Sequence, residues 1–215
     1  MRAVVFDMDG LMFNTEDVYT LVGEELLRRR GCEFTTEIKK RMMGVQPQPN
    51  FEMMISHYHL DDTWQELAAE TNRLFLDLLD GRLAMMPGLK GLLDGLERAG
   101  IPKAIGTSSS RELVSACLRP FDLERRFQFV LAAEDISHSK PHPEVYLTAA
   151  RRLAVRPAEM LVLEDSHNGC VAADAAGAFV VAVPGAHSRD QDFSMASLVV
   201  DSLADPRLYL TLGIA

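Results

Sequence analysis

Asp7 and Asp9 stand one residue apart just after a brief apolar run, residues 3–6, and Gly10 follows them. Strand side chains alternate with period two, so both carboxylates can reach the same end of a sheet, and a glycine there lets the chain leave sharply. Open α/β sheets bind their ligands outside the carboxyl ends of the strands, and paired carboxylates there are suited to proton or metal chemistry. Asp-Met-Asp-Gly also has the composition of an ordinary strand-ending turn. The pair needs partners elsewhere in the chain before it reads as a site.

Three later segments supply them. Residues 107–112 read Thr-Ser-Ser-Ser-Arg-Glu after another apolar run, and Ser109 and Glu112 have capping-box spacing ahead of an apolar helix. Hydroxyls and free backbone N–H groups at a helix start make an anion site, although a well-capped helix alone accounts for the same residues. Lys140 precedes Pro141-His142-Pro143-Glu144, where Pro143 can open a helix. A loop lysine is ordinarily solvated, but this one would bring positive charge to a site that needs it. Glu164 and Asp165 close the run 160–163, and Ser166-His167-Asn168-Gly169 leads into a further helix that Asp165 or Ser166 could simply cap.

Four carboxylates from two strand ends repel one another. Two unit charges ~4 Å apart cost about 4 kcal/mol at an effective dielectric near 20, so several such pairs force a proton onto a carboxyl or require a cation. Oxygen donors without Cys or His spacing favour a hard, water-retaining ion such as Mg²⁺ over Zn²⁺.

The elements that must position these groups follow from the apolar pattern. Short runs at 3–6, 102–106, 127–132, 160–163 and 178–183 are apolar on both alternations, as strands buried on both faces are. Amphipathic stretches at 87–99, 110–119, 143–154 and 168–176 lie between them, with Pro87 suited to a first helical turn. Strand alternating with helix predicts a Rossmann-like, doubly wound parallel α/β sheet. Residues 14–83 break the alternation with helical spacing only. Leu21, Val22, Leu26 and Leu27 would share one face, as would Leu67, Leu74 and Leu78. The expected organisation is a discontinuous core, 1–13 with 84–215, and a helical insertion, 14–83.

Composition excludes more than it assigns. A formal charge of −9 in 215 residues argues against nucleic-acid or anionic-membrane partners, which bind through clustered Lys and Arg. Cys32, Cys117 and Cys170 form no CxxC pair and suit ordinary thiols in a reducing compartment. No run of ~20 apolar residues is present, so a cytoplasmic protein is expected, with oligomeric state open and a monomer compatible. His57 and His59 point to different helix faces, His167 lies beside the acidic motif, and His138, His142 and His187 read as structural or surface groups. Arg28 to Arg30 and Arg125-Arg126 read as solvated faces.

As a set, Phe6-Asp7-Met8-Asp9-Gly10-Leu11, Thr107-Ser108-Ser109, Lys140-Pro141-His142-Pro143 and Glu164-Asp165-Ser166-His167-Asn168-Gly169 resemble the haloacid dehalogenase superfamily. The resemblance is to its β-phosphoglucomutase-like branch of sugar and small-metabolite phosphatases, whose helical cap is inserted after the first motif, as 14–83 would be. It implies Asp7 as the nucleophile that forms an aspartyl-phosphate and Asp9 as general acid and base. Mg²⁺ is implied on the Asp7 carboxylate, the Asp9 main-chain carbonyl and Asp165, with Glu164 a direct or water-mediated ligand. Thr107, the Ser108 backbone N–H and Lys140 would receive the phosphoryl oxygens of a small phosphorylated metabolite. An acid at Asp9 disfavours a dehalogenase. A phosphosugar mutase is the alternative enzyme, but the positions matching its cap His and Arg appear as Tyr19 and, after Gly44, Pro47, with Lys39, Lys40 and Arg41 near enough to compensate. Asn14 stands where the family more often has Asp. A phospho-Asp binding or signalling module is a third reading, against which Asp9 and the long insertion count.

Overall fold

The computed structural model describes residues 1–42 and 47–214, without the side chains of Lys40 and Pro47. It divides into two compact units, Met1–Asn14 with Ala84–Ala215, and Thr15–Leu83. The first unit contains β1 (Ala3–Phe6), β2 (Lys103–Gly106), β3 (Val130–Leu131), β4 (Met160–Glu164), β5 (Phe179–Ala182) and β6 (Leu198–Val199). These form one sheet in the order β3-β2-β1-β4-β5-β6, with all pairs parallel. This is the Rossmann-like α/β core that the alternation of runs predicts.

Apolar residues on both alternations bury β1 and β4 completely, which places them in the middle of the sheet with helices on both sides. Ala3 and Val5 of β1 and Met160 and Val162 of β4 join one cluster with Tyr146, Ala149, Cys170 and Ala173. Those last four belong to α7 (Glu144–Arg152) and α8 (His167–Ala175). The register then levels the strand ends. Phe6 pairs with Leu163 and with Ile105, and Asp7 N–H continues the ladder to the Leu163 carbonyl at 2.9 Å. Asp7, Glu164 and Thr107 therefore leave the sheet at its carboxyl end, where the strand order reverses between β1 and β4.

Local chemistry shifts several expected boundaries. The helix after Pro87 is α5 (Leu89–Arg98), and Gly88, not Pro87, precedes it at φ 90°. A side chain at Gly88 would collide with the backbone of Leu203 and Ala204, so both the torsion and the close approach require glycine. Ser110 rather than Ser109 caps α6 (Arg111–Leu118), accepting from Leu113 N–H at 3.4 Å. Edge strand β6 and the helix Pro206–Leu212 lie beyond the last expected element, because each is too short to leave a periodic signal.

The second unit holds α1 (Thr15–Arg28), α2 (Thr36–Met42), α3 (Pro47–Tyr58) and α4 (Trp64–Leu79). Val18, Val22, Leu26 and Leu27 form the buried stripe of α1, whereas Leu21 is 39% exposed and does not share it. In α4 the stripe is Leu67, Leu74, Phe75 and Leu79; Leu78 is only half-buried. Thr63 and Glu66 close a capping box at the α4 start. Arg28 and Arg29 are exposed, as a solvated face requires, and are ion-paired on it, whereas Arg30 keeps only 16% of its side-chain surface while bonding Asp62 and Glu70. Arg126 likewise pairs with Asp94 and Glu97. Among the described residues no helix is long and apolar enough to cross a membrane.

Candidate active site

Lys140 is the hub of the site. It lies in the loop before α7 and its side chain is buried, with Nζ donating to Asp7 Oδ1 at 2.5 Å and to Glu164 Oε1 at 2.6 Å. Glu164, at the end of β4, is wholly buried. Its Oε1 also accepts from the Tyr146 hydroxyl at 2.6 Å, and its Oε2 from Ser166 N–H and Oγ at 3.3 and 3.1 Å. The Tyr146 ring lies 5.1 Å from the ammonium, within cation–π reach. A Cβ at Gly169 would overlap the Glu164 carboxylate, so the first turn of α8 closes over it. Ser166 caps α8 by accepting from Gly169 N–H at 3.1 Å, which answers the cap question raised by Asp165.

Asp9 is held from another direction. Thr107 Oγ1 and Ser109 Oγ both donate to its Oδ2, at 3.2 and 2.7 Å, and Ser109 N–H donates to Thr107 Oγ1 at 3.0 Å. Because Ser110 takes over the helix cap, Ser109 is released to orient the carboxylate. Asp9 Oδ1 is buried without a hydrogen-bond partner among the described residues. With two donors fixing Oδ2 as an acceptor, any proton carried by Asp9 belongs on Oδ1. Ser108 is exposed at the same turn.

Asp7, Glu164 and Asp165 each place a carboxylate oxygen within 4.8 Å of the other two, and all are buried. Gly10, at φ 74°, leaves the space that the Asp165 carboxylate occupies. Burial pushes the Asp7 carboxyl well above its ordinary value; Lys140 opposes that shift, and Glu164 and Asp9 add to it. Burial also works against the Lys140 charge, but Asp7 and Glu164 outweigh it and hold the ammonium well above its ordinary range. Both directions express one imbalance, a single buried cation among several carboxylates. Oxygen donors in excess of positive charge fit a hard divalent ion such as Mg²⁺.

The structure brings Asp7, Asp9, Thr107, Lys140, Glu164 and Asp165 to one sheet end, with Ser108 at its rim. Tyr146 is an addition that the sequence reading lacks, and Ser109, expected there as a helix cap, bonds Asp9 instead. A tyrosine on the otherwise apolar face Val145, Tyr146, Ala149, Ala150 was the available signal, since a buried hydroxyl requires a partner. His167 is tied instead to Gln191 and Asp192, through its N–H and Nδ1 at 2.7 Å each. Asn14 Oδ1 and N–H both bond Ala84, at 2.7 and 3.1 Å, joining the two points where the chain leaves and re-enters the first unit. In the second unit Tyr19 stacks on Phe75 at 4.4 Å, and Lys39 Nζ donates to Thr20 Oγ1 at 2.6 Å. Gly44 and the side chains of Lys40 and Pro47 lie outside the described residues. All three cysteines are free, and burial pushes the Cys117 thiol up to about 12.

Comparisons with known proteins place the chain among phosphatase relatives. A Drosophila melanogaster protein described as a probable pseudouridine-5'-phosphatase is 36% identical over 207 residues, covering 94% of this chain and 89% of that protein. The phosphorylated carbohydrates phosphatase of Thermotoga maritima is 30% identical over 181 residues, covering 82% of each chain. The crystal structure of CbbY from Rhodobacter sphaeroides in complex with phosphate superposes with a TM-score of 0.85 at 27% identity, covering 95% of this chain and 96% of that one. Residues 4–183 match the haloacid dehalogenase-like hydrolase family, and the chain belongs to that family.

Proposed function

We propose that this protein is a Mg²⁺-dependent phosphatase that hydrolyses a small phosphomonoester, a sugar phosphate or nucleoside phosphate, through an aspartyl-phosphate on Asp7. One observation carries the reading: Lys140 bridges Asp7 and Glu164 in a buried cluster, beside a second aspartate already held by two hydroxyls. The names of the relatives, phosphatases acting on pseudouridine 5'-phosphate and on phosphorylated carbohydrates, support it.

An Asp7 oxygen attacks phosphorus as the bond to the leaving alkoxide breaks, and Asp9 gives that alkoxide its proton. Asp9 then takes a proton from water, whose oxygen attacks the phosphorus. The bond to Asp7 breaks, releasing inorganic phosphate and the free carboxylate. Thr107 and Ser109 orient Asp9 so that Oδ1 is the oxygen that exchanges the proton. Lys140 and the Ser108 N–H donate to the equatorial phosphoryl oxygens, whose charge they stabilise in the transition state; the one Thr107 proton, given to Asp9 in the free protein, turns to a phosphoryl oxygen when substrate binds and leaves Ser109 to hold Asp9. The Asp7 carboxylate, the Asp9 main-chain carbonyl and Asp165 would hold Mg²⁺, which offsets the negative charge of carboxylates and phosphate when bound. Glu164 is occupied by Lys140, Tyr146 and Ser166, so its part is to orient Lys140 and to reach the ion through water. On the same reading, residues 14–83 are the cap that selects the substrate.

The test is phosphate release from a panel of phosphorylated metabolites with Mg²⁺. Multiple turnover by the wild type and none by Asp7→Asn is the expected result; equal inertness of both across the panel would overturn the hydrolase. Conversion of a hexose 1-phosphate to the 6-phosphate without matching phosphate release would instead establish the mutase. Tyr19, stacked on Phe75, offers that reaction no ready base.

A further inference from the structure

The loop that delivers Lys140 carries a second cluster, unused by the chemistry above. His138, His142 and Glu144 each offer one ligating atom within 4.8 Å of the other two. His138 Nδ1 lies 2.9 Å and His142 Nδ1 4.0 Å from the same oxygen, Glu144 Oε2, and the two imidazole centroids are 4.5 Å apart. Tetrahedral zinc, with bonds of about 2.0–2.2 Å, separates neighbouring donors by roughly 3.3 Å. The separations of 2.9 and 4.0 Å lie on either side of that value.

The frame around these atoms is fixed. Glu144 Oε1 accepts from Ser137 N–H and Oε2 from His138 N–H, each at 2.9 Å, which orients the carboxylate as outer-shell bonds orient metal ligands. Glu144 N–H donates to His142 Nδ1 at 3.3 Å, so that nitrogen carries a lone pair rather than a proton. Prolines 141 and 143 restrict the backbone on both sides of His142, and Glu144 begins α7. A single His–Glu hydrogen bond would explain His138. The bond from Glu144 N–H sets the His142 ring, and the two together bring both Nδ1 atoms within 4.0 Å of one carboxylate oxygen.

We propose that His138, His142 and Glu144 form a binding site for a borderline divalent transition cation, Zn²⁺ above all, distinct from the carboxylate cluster at the sheet end. Two imidazole nitrogens and one carboxylate oxygen suit zinc and not Mg²⁺, and water completes the coordination. Binding moves the His138 proton from Nδ1 to Nε2, with no net proton release, and exchanges the two Glu144 contacts to imidazole for bonds to the ion. An ion held there ties residues 138, 142 and 144 into a ring around Lys140.

The experiment titrates the purified full chain, in excess Mg²⁺, with Zn²⁺ alone by calorimetry, and with Co²⁺ by visible absorption. The wild type should bind one more equivalent of Zn²⁺ than His138→Ala/His142→Ala. Asp165→Asn, altered only at the carboxylate cluster, should keep that equivalent. His142→Ala alone should weaken it by more than the roughly tenfold to hundredfold that loss of an outer-shell partner costs. The Co²⁺ spectrum of mixed nitrogen and oxygen coordination should vanish in the double variant, whose thermal midpoint in chelator should match the wild type and so show it folded. Equal Zn²⁺ stoichiometry and affinity in wild type and double variant, or no Zn²⁺ bound by Asp165→Asn, would overturn the site.

Discussion

The two units handle charge in opposite ways. In the helical unit, Arg28, Arg29 and Arg30 face Glu25, Asp62 and Glu70, three cations against three anions, in a network reached by solvent. At the sheet end, Asp7, Glu164 and Asp165 are buried, and the Lys140 ammonium bonds Asp7 and Glu164. A balanced surface network contributes little to stability and asks for nothing more. An unbalanced buried one is unfavourable until a proton, a metal ion or a substrate completes it. The difference marks which cluster is built for chemistry.

Breaking the buried cluster should have the largest effect. Lys140→Met leaves Asp7 and Glu164 without their cation; turnover of an aryl phosphate should fall by about a hundredfold or more, as loss of a transition-state charge partner does. Loss of the buried pair should lower unfolding stability by about 3 kcal/mol, read by denaturant titration at neutral pH. Near-wild-type kcat/KM would contradict its placement in the site.

Tyr146→Phe probes the same cluster more gently. It removes one hydroxyl donor from Glu164 and keeps the ring beside the ammonium, so stability should drop by about 1–2 kcal/mol. A kcat reduced roughly tenfold with KM little changed is the expected split for a group acting through Lys140. Equal kcat values would reduce Tyr146 to a packing residue.

Arg30→Ala tests the other side of the comparison. The guanidinium bonds Asp62 twice, at 2.8 and 2.6 Å, and Glu70 once at 2.8 Å, yet the pairs are part-exposed, so the loss should be about 1 kcal/mol. Phosphatase kcat should not change. The Arg30 hydrogen bond holds the Asp62 carboxyl below its ordinary value. Its stabilisation is therefore complete above the ordinary carboxylate range and is lost as pH falls through the lowered one. Wild type and Arg30→Ala should differ in midpoint at pH 7 and converge in acid; a gap that persists at low pH would show a packing effect instead.

Much of the site was legible because its residues follow apolar runs. The sequence alone puts Asp7, Thr107 and Glu164 at strand ends, and the register of Phe6 with Ile105 and Leu163 brings those ends level. The capping serine was not legible. Ser109 and Ser110 are chemically identical, and only the backbone decides which bonds the helix and which bonds Asp9. Tyr146 was hidden for a related reason, since helical periodicity assigns a face without saying that a hydroxyl on it reaches Glu164. The His138 and His142 rings converge through a loop containing two prolines, where periodicity offers no guide. Leu21 failed as a core residue because four apolar side chains over seven positions exceed the width of one stripe.

The central claim is that Asp7 becomes phosphorylated during turnover. Wild-type protein mixed with Mg²⁺ and an aryl phosphate, quenched in acid within one turnover and reduced with borohydride, should carry homoserine in place of aspartate at position 7, detected by peptide mass spectrometry. Asp7→Asn and substrate-free samples should show none. Phosphate release by the wild type with position 7 unmodified, or with the modification at another carboxylate, would contradict the account.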